Sequence, residues 1–395
     1  MNWKFAFICP WFGPHIPGGA ERAARELVLN LARREHDVRV LTTCARDFYH
    51  WEPYHTAGVA TFEGIPVFRF SINDRDAAAF DQVNKQLLEG HPLSAWEETV
   101  FLKNIISSDA LCQHIWRLRH DCLFIFTPYM FGTSYWGAKL VPEKSFLFPC
   151  LHDEPYLYLP RYQRLLKNVR SLLFYSSGEG ELAREVLHRT DCHRVVGLGI
   201  NNKDTPSQEN IAHFKESYNI SSPYLFLPGR KQAEKNTALA VDLFSRYKTH
   251  HEDPVKLVLS GPGTVEIKPE VHDDVIDLGY LSEQHLSCAY QAARAVCLPS
   301  VRESFSFTMF EAWLHKKPVV GHAACRATKL PLELSQAGIT FSDFNSFCAG
   351  MEMLRNMSDE QLAEVGTRGY NYVTCHHTWD AVIKKFLTYI DEAMS

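Results

Sequence analysis

The stretch Leu298–Val320, LPSVRESFSFTMFEAWLHKKPVV, constrains this chain more than any other. An apolar run from Ala295 to Leu298 stops at Pro299, and the polar turn Ser300-Val301-Arg302-Glu303 follows. The pattern predicts a helix beginning near Ser304 or Ser306 and carrying Phe310, Ala312, Trp313 and Leu314. It ends before Lys316-Lys317-Pro318, because proline cannot continue a helix, and a second apolar strand restarts at Val319. Strand, turn, helix and strand in this order make one unit of a parallel α/β sheet. The unpaired N–H groups and positive dipole end of such a helix favour a phosphate.

Two carboxylates frame that helix, Glu303 in the turn and Glu311 further along. The paired carboxylates of glycoside hydrolysis face each other across one bond. Here the second is expected two turns into the helix, about 10 Å beyond the first at the usual rise per residue. Separate jobs on one elongated ligand fit that distance better: Glu311 for a ribose, Glu303 for sugar hydroxyls, the helix start for a diphosphate. Spacing alone leaves a helix-start glutamate and a solvated one equally open.

Elsewhere the chain repeats the alternation. Trp3–Cys9 reads as a strand, Pro10–Gly19 as a glycine-rich loop, and the segment from Ala20 as a helix leading to strand Val38–Leu41. Gly18 and Gly19 permit close backbone approach at a helix start, although a plain tight turn fits as well. A helix is expected over Ser94–Arg119, and strands over Leu123–Phe126 and Ser145–Cys150. The latter delivers His152 at its carboxyl end, where ligands of open α/β sheets sit. Arg161, Arg164, Lys167 and Arg170 recur every three residues, a basic stripe that is either a solvated face or a membrane contact. The polar run Asn201–Asn210 marks a boundary between domains 1–200 and 201–378. Strand Tyr224–Leu227 opens the second domain and ends in a loop with Arg230 and Lys235. Fixed cations of this kind stabilise negative charge developing on a diphosphate without a metal.

A length of 395 residues allows two or three domains, and a charge of −5 argues against bulk binding to nucleic acid. Eleven cysteines without a C-x-x-C pair read as reduced thiols of a cytoplasmic protein rather than a zinc site. The run Cys122–Ala138 lacks charge but is broken by Pro128, Gly132 and Gly137, so it reads as a strand plus a loop.

PSVRESFSFTMFEA resembles the E-x7-E signature of the retaining glycosyltransferases of GT-B family 4. Gly18-Gly19-Ala20-Glu21 and the Arg230…Lys235 pair are similar to two further family motifs, with Asn236 where relatives more often have glycine. The resemblance implies an α/β fold of two Rossmann-like domains with parallel sheets facing across a cleft, the last helix (379–395) packing back on the first. It implies a retaining, metal-independent transfer from a nucleotide-diphosphate sugar, UDP- or GDP-linked, to a hydroxyl of a saccharide or lipid-linked saccharide, with no other cofactor. Polysaccharide or glycolipid synthesis, and peripheral contact with the inner membrane face, belong to the same expectation. Arg230, Lys235, Ser304, Phe305, Ser306 and Glu311 are then donor-binding, with Glu303, His152, Gly18 and Gly19 completing the site. A sugar-nucleotide epimerase of the same shape and a non-catalytic sugar-nucleotide binding subunit are the alternatives.

Overall fold

The computed structural model describes residues 3–14, 16–189, 193–201 and 205–395. Three parts of the sequence reading lie outside them: the Met1-Asn2 start, His15 of the glycine-rich loop, and 202–204 of the boundary run. The chain divides into two compact units, Met1–Gly199 with Trp379–Ser395, and Ile200–Thr378.

The first unit is built on eight strands: β1 (Lys4–Ile8), β2 (Asp37–Thr43), β5 (Gly58–Phe62), β6 (Ile65–Phe70), β7 (Leu123–Phe126), β8 (Ser145–Leu147), β9 (Ser171–Phe174) and β10 (His193–Val195). A small antiparallel hairpin, β3 (Ala45–Asp47) and β4 (His50–Pro53), stands apart. The sheet runs β10-β9-β8-β7-β1-β2-β6-β5 and is parallel except where β5 pairs with β6. Runs such as Leu123-Phe124-Ile125-Phe126 are buried throughout, as strands covered on both faces require. The direction of winding reverses between β1 and β7, a topological switch point, and ligands of such sheets bind outside the carboxyl ends of the strands there.

Helices α1 (Gly19–Ala32), α2 (Ala77–Leu88), α3 (Ala95–Asn104), α4 (Asp109–Leu118), α5 (Gly132–Leu140), α6 (Pro160–Asn168) and α7 (Ser177–Leu187) belong to this unit. Two expectations change here, and one unread segment gains a structure. The single helix Ser94–Arg119 is two, because Ile105 is extended and Ser108 caps a fresh start by accepting from Leu111 N–H at 3.2 Å. The segment Ala77–Leu88, unread in the sequence, is helical, with Asp76 accepting from Ala79 N–H. The charge-free run Cys122–Ala138 ends in helix α5 rather than a loop, Gly132 being its first residue.

The second unit is simpler. Strands β11 (Tyr224–Pro228), β12 (Lys256–Ser260), β13 (Val275–Asp277), β14 (Ala295–Leu298), β15 (Val319–His322) and β16 (Gly338–Phe341) form one wholly parallel sheet in the order β13-β12-β11-β14-β15-β16. Its switch point lies between β11 and β14. Helices α8 (Gln208–Ser217), α9 (Thr237–His250), α10 (Glu283–Ala292), α11 (Phe307–Leu314), α12 (Arg326–Ser335), α13 (Phe344–Asn356) and α14 (Asp359–His376) cover it. Ser282 caps α10, as its position before Glu283 indicates. Trp313 is fully buried, and its indole N–H donates to the Ala337 carbonyl at 3.1 Å.

The last helix, α15 (Trp379–Met394), belongs to the first unit. Its buried face holds Val382, Phe386 and Ile390, each contributing about 1.5–3 kcal/mol by burial. Phe386 meets Phe5 at 5.4 Å, and Trp3 Nε1 donates to Asp391 at 2.7 Å. Among the described residues no helix is long and apolar enough to cross a membrane.

Candidate functional site

The residues singled out by sequence in the second unit gather at its switch point. β11 ends at Pro228, and the loop beyond it carries Arg230 and a single 3-10 turn, Ala233–Lys235. β14 ends at Leu298, and the loop beyond it carries Glu303 and the Ser306 cap of α11. The two loops meet through charge: Lys235 Nζ lies 2.6 Å from Glu303 Oε1, with the Glu303 side chain 14% exposed and the lysine 34%. Asn236 joins them again, donating from its side-chain nitrogen to the Pro299 carbonyl at 3.2 Å. Its φ of 56° accounts for the departure from glycine, since asparagine is among the few residues that adopt the left-handed region readily.

Helix α11 starts at the second of the two expected positions, capped by Ser306. Ser304 and Phe305 precede it, and Ser306 accepts from Met309 N–H at 3.3 Å. Glu311 is therefore the fifth helical residue, little more than one turn in rather than two. It is buried, 7% exposed, and accepts from the Tyr290 phenol at 3.2 Å. Phe305 stacks on Phe310 at 4.8 Å and so anchors the loop to the helix.

One buried cation beside this site escaped the sequence reading. Lys231 donates to the Gly261 carbonyl and lies 3.0 Å from Asp277 Oδ1, the oxygen that also accepts from Gly279 N–H at 3.0 Å. Gly261 N–H in turn donates to the Gly279 carbonyl at 2.7 Å. The loops after β11, β12 and β13 are thus tied around one ammonium whose side chain is 1% exposed. Gly261 has φ 110°, and a Cβ there would stand 2.2 Å from the Gly229 carbonyl oxygen, so no other residue fits. In the turn after β15, Thr328 is buried and donates to the Cys325 carbonyl, while Arg326 is exposed.

In the first unit, the loop after β1 ends in Gly18, with φ 132° and the Glu21 carboxylate where a Cβ would stand. Glu21 accepts from the indole N–H of buried Trp11 at 2.8 Å, a structural partner for a residue expected to serve the helix start. The turn after β8 carries His152, half-buried, with Nδ1 3.8 Å from Glu154 Oε2. Behind it stands Glu179, 2% exposed, accepting from Leu151 N–H at 2.8 Å and Tyr175 N–H at 2.9 Å. Burial pushes this carboxyl up to about 7, against the opposing pull of those two N–H donors, of His152 and of the Cys150 N–H. The sequence showed Glu179 only as an acidic residue three after the Ser176 cap, and its partner Leu151 is 28 positions away.

The basic stripe is divided. Arg161 is engaged, with Nε 3.4 Å from the buried Glu98 carboxylate and a guanidinium nitrogen 2.6 Å from Thr99 Oγ1. Arg170 lies past the end of α6 and donates to the Ala393 carbonyl. Only Arg164 and Lys167 of the four are exposed. Among the described residues no group of three His, Cys, Asp or Glu side chains is placed to hold a metal ion.

Comparison with known proteins places this geometry. Residues 222–355, the greater part of the second unit, match the family model for glycosyl transferases group 1. No curated protein matches the chain. Solved structures resemble it over nearly its whole length. Sucrose-phosphate synthase from Thermosynechococcus elongatus is 14% identical with a TM-score of 0.70, covering 99% of this chain and 98% of its own. The HepE protein of Anabaena, in complex with UDP, is 13% identical with a TM-score of 0.71, covering 98% and 100%. An α,α-trehalose 6-phosphate synthase from Burkholderia multivorans is 9% identical with a TM-score of 0.68, covering 99% of each chain. At such identities the likeness is one of fold, and the fold is GT-B: two Rossmann-like units with parallel sheets.

Proposed function

We propose that this protein is a retaining glycosyltransferase of the family 4 type, with a donor unit at Ile200–Thr378 and an acceptor unit formed by the rest. The observation that carries the reading is the meeting of Lys235 and Glu303, with Arg230 on the same loop as Lys235, at the switch point of a unit that matches group 1 glycosyl transferases. The donor is a nucleotide-diphosphate sugar. UDP-glucose is the first to test, since HepE has been solved with UDP and with UDP-glucose; a GDP-linked sugar is the next.

Arg230 grips the diphosphate with its planar fork and Lys235 supplies a point charge. Glu303 holds sugar hydroxyls, and Glu311 accepts from the ribose. The backbone at Ser304, Phe305 and Ser306 leads into the N–H end of α11, where the diphosphate rests. As the bond from the anomeric carbon to the phosphate oxygen breaks, its electron pair leaves with the diphosphate, where the two cations stabilise it. The acceptor hydroxyl attacks from the same face, and its proton passes to the departing phosphate oxygen. These cations do the work a metal does elsewhere, so the reaction runs without one. His152 and the Gly18–Gly19 loop serve the transferred sugar and the acceptor, a saccharide or lipid-linked saccharide of polysaccharide or glycolipid synthesis. The protein works in the cytoplasm, with peripheral membrane contact where the acceptor is lipid-linked.

The test is thermal stability with UDP, GDP, ADP and their sugars, with and without EDTA, on the wild type and on Glu311→Ala. A ligand at 100 times its dissociation constant adds about 2.7 kcal/mol to the folded state. One nucleotide is expected to raise the midpoint regardless of EDTA and to lose that effect in the variant. Stabilisation by none of them, or only with a divalent ion, overturns the reading.

A further inference from the structure

Glu179 is a buried carboxylate that the transfer reaction does not use, and its two bonds close a gap in the first unit. The turn after β8 departs from ordinary backbone at Cys150, a non-glycine residue with φ 57°, immediately before Leu151 and His152. Such a residue persists only where its surroundings hold it. Cys150 Sγ faces Thr127 Oγ1 at 3.7 Å, a weak contact, whereas the Leu151 N–H points into the carboxylate of Glu179 at 2.8 Å. The other oxygen of that carboxylate accepts from Tyr175 N–H at 2.9 Å, at the end of the neighbouring strand β9. An ionised carboxylate accepts both bonds, and bonds to an ionised group are roughly twice as strong as neutral ones. Once protonated, the carboxyl is neutral, and the oxygen that carries the hydrogen is a weaker and more restricted acceptor, so the bridge loosens.

We propose that Glu179 is the positioning residue for His152: its ionised carboxylate bridges Leu151 N–H and Tyr175 N–H, fixes the strained turn, and releases it on protonation. The inference rests on the assignment of His152 to the transferred sugar. It makes turnover depend on a proton at a group that touches no substrate. The titratable groups facing Glu179 are His152 on the turn, the Cys150 thiol at the end of β8 and the Tyr175 phenol at the end of β9. Burial raises the thiol and the phenol well above their usual ranges, which leaves them neutral near pH 7. His152 favours the ionised carboxylate when it is charged. Burial holds the Glu179 carboxyl up at about 7, so the switch falls at neutral pH.

The test has two arms on the full chain. Amide hydrogen exchange is measured at Leu151 and Tyr175 across pH 5.5 to 8.5, on the wild type and on Glu179→Gln. In the wild type both amides are expected to be protected at the alkaline end and to lose protection at least tenfold at the acid end. In Glu179→Gln they stay unprotected throughout. The wild-type titration stands even where the variant folds poorly, and protection that ignores pH overturns the proposal. The second arm follows UDP release from UDP-glucose. In Glu179→Gln, kcat is expected to fall tenfold or more with the KM for UDP-glucose within twofold, and the acid limb near pH 7 to disappear. An unchanged kcat and profile beside altered exchange would overturn the positioning role while leaving the transferase reading intact. A wild type that turns over no nucleotide sugar would instead sink the transferase reading, and the exchange arm would still decide whether Glu179 holds the turn.

Discussion

The two units repeat one topology and fill it with opposite chemistry. Each is a doubly wound sheet, parallel but for the β5 edge of the first, with a switch point between β1 and β7 in the first and between β11 and β14 in the second. At the second, the loops bring cations, Arg230, Lys235 and the buried Lys231, with Glu303 paired to Lys235 and Asp277 to Lys231. At the carboxyl ends of the first, the helix starts bring carboxylates, Glu21 in the first turn of α1 and Glu179 in that of α7, packed against Trp11 and against backbone N–H groups. The first unit spends its nearby arginines on structure, Arg161 on Glu98 and Arg69 on the Phe12 carbonyl. The fold thus provides an edge, and the residues of the loops and helix starts that follow the strands decide which charge it receives.

The contrast breaks most visibly through catalysis. Arg230→Ala and Lys235→Ala are each expected to lower the transfer rate about 10²–10³-fold, the usual cost of one electrostatic group at a developing charge. Both should lower the rate far more than they move the denaturant midpoint, with Lys235→Ala costing about 1–3 kcal/mol because it leaves the largely buried Glu303 carboxylate without its ammonium. Rates and urea unfolding on the same preparations decide this, and a variant that loses stability in place of rate would make the cation structural. Stability carries the next effect. The Glu179 carboxyl has a folded value, about 7, above its ordinary 4.5. The stabilisation linked to its protonated form is complete below pH 4.5 and is lost as pH rises through 7, by about 3 kcal/mol at most. Glu179→Gln should flatten the unfolding free energy over that window, read from urea curves at several pH values. Arg161→Ala leaves the Glu98 carboxylate buried without its guanidinium and should cost about 2 kcal/mol with no change in kcat. Asn236→Ala puts an ordinary residue at φ 56° and should cost about 1–2 kcal/mol, and Asn236→Gly less. Differential scanning calorimetry on the pair separates backbone strain from the lost bond to Pro299.

What the sequence revealed was local. The strand, turn and helix from Ala295 to Leu314 were readable because burial in a parallel sheet leaves continuous apolar runs, and because Ser306 is a capping residue. Arg230, Lys235 and Glu303 were readable as types at the ends of strands. Their pairing was not, since Lys235 and Glu303 are 68 positions apart and only the strand order makes them neighbours. Lys231 was overlooked because a lysine beside an arginine in a loop reads as solvated. It is buried by the close approach of Gly229 and Gly261, which no periodicity announces. The helix Ala77–Leu88 was missed for a related reason: its buried residues, Phe80, Val83 and Leu87, are few among alanine and polar neighbours. The break at Ile105 was hidden by apolar residues continuing through it into the next helix.

The central claim is that the nucleotide is held at the switch point of the second unit by Arg230, Lys235 and the start of α11. Hydrogen exchange of the wild type with saturating UDP, and then with GDP, tests it most directly. The account predicts that one of them protects the backbone around residues 229–236 and 300–307, and that Lys235→Ala erases that protection at the same concentration. Protection confined to the first unit, or none with either nucleotide, would contradict it.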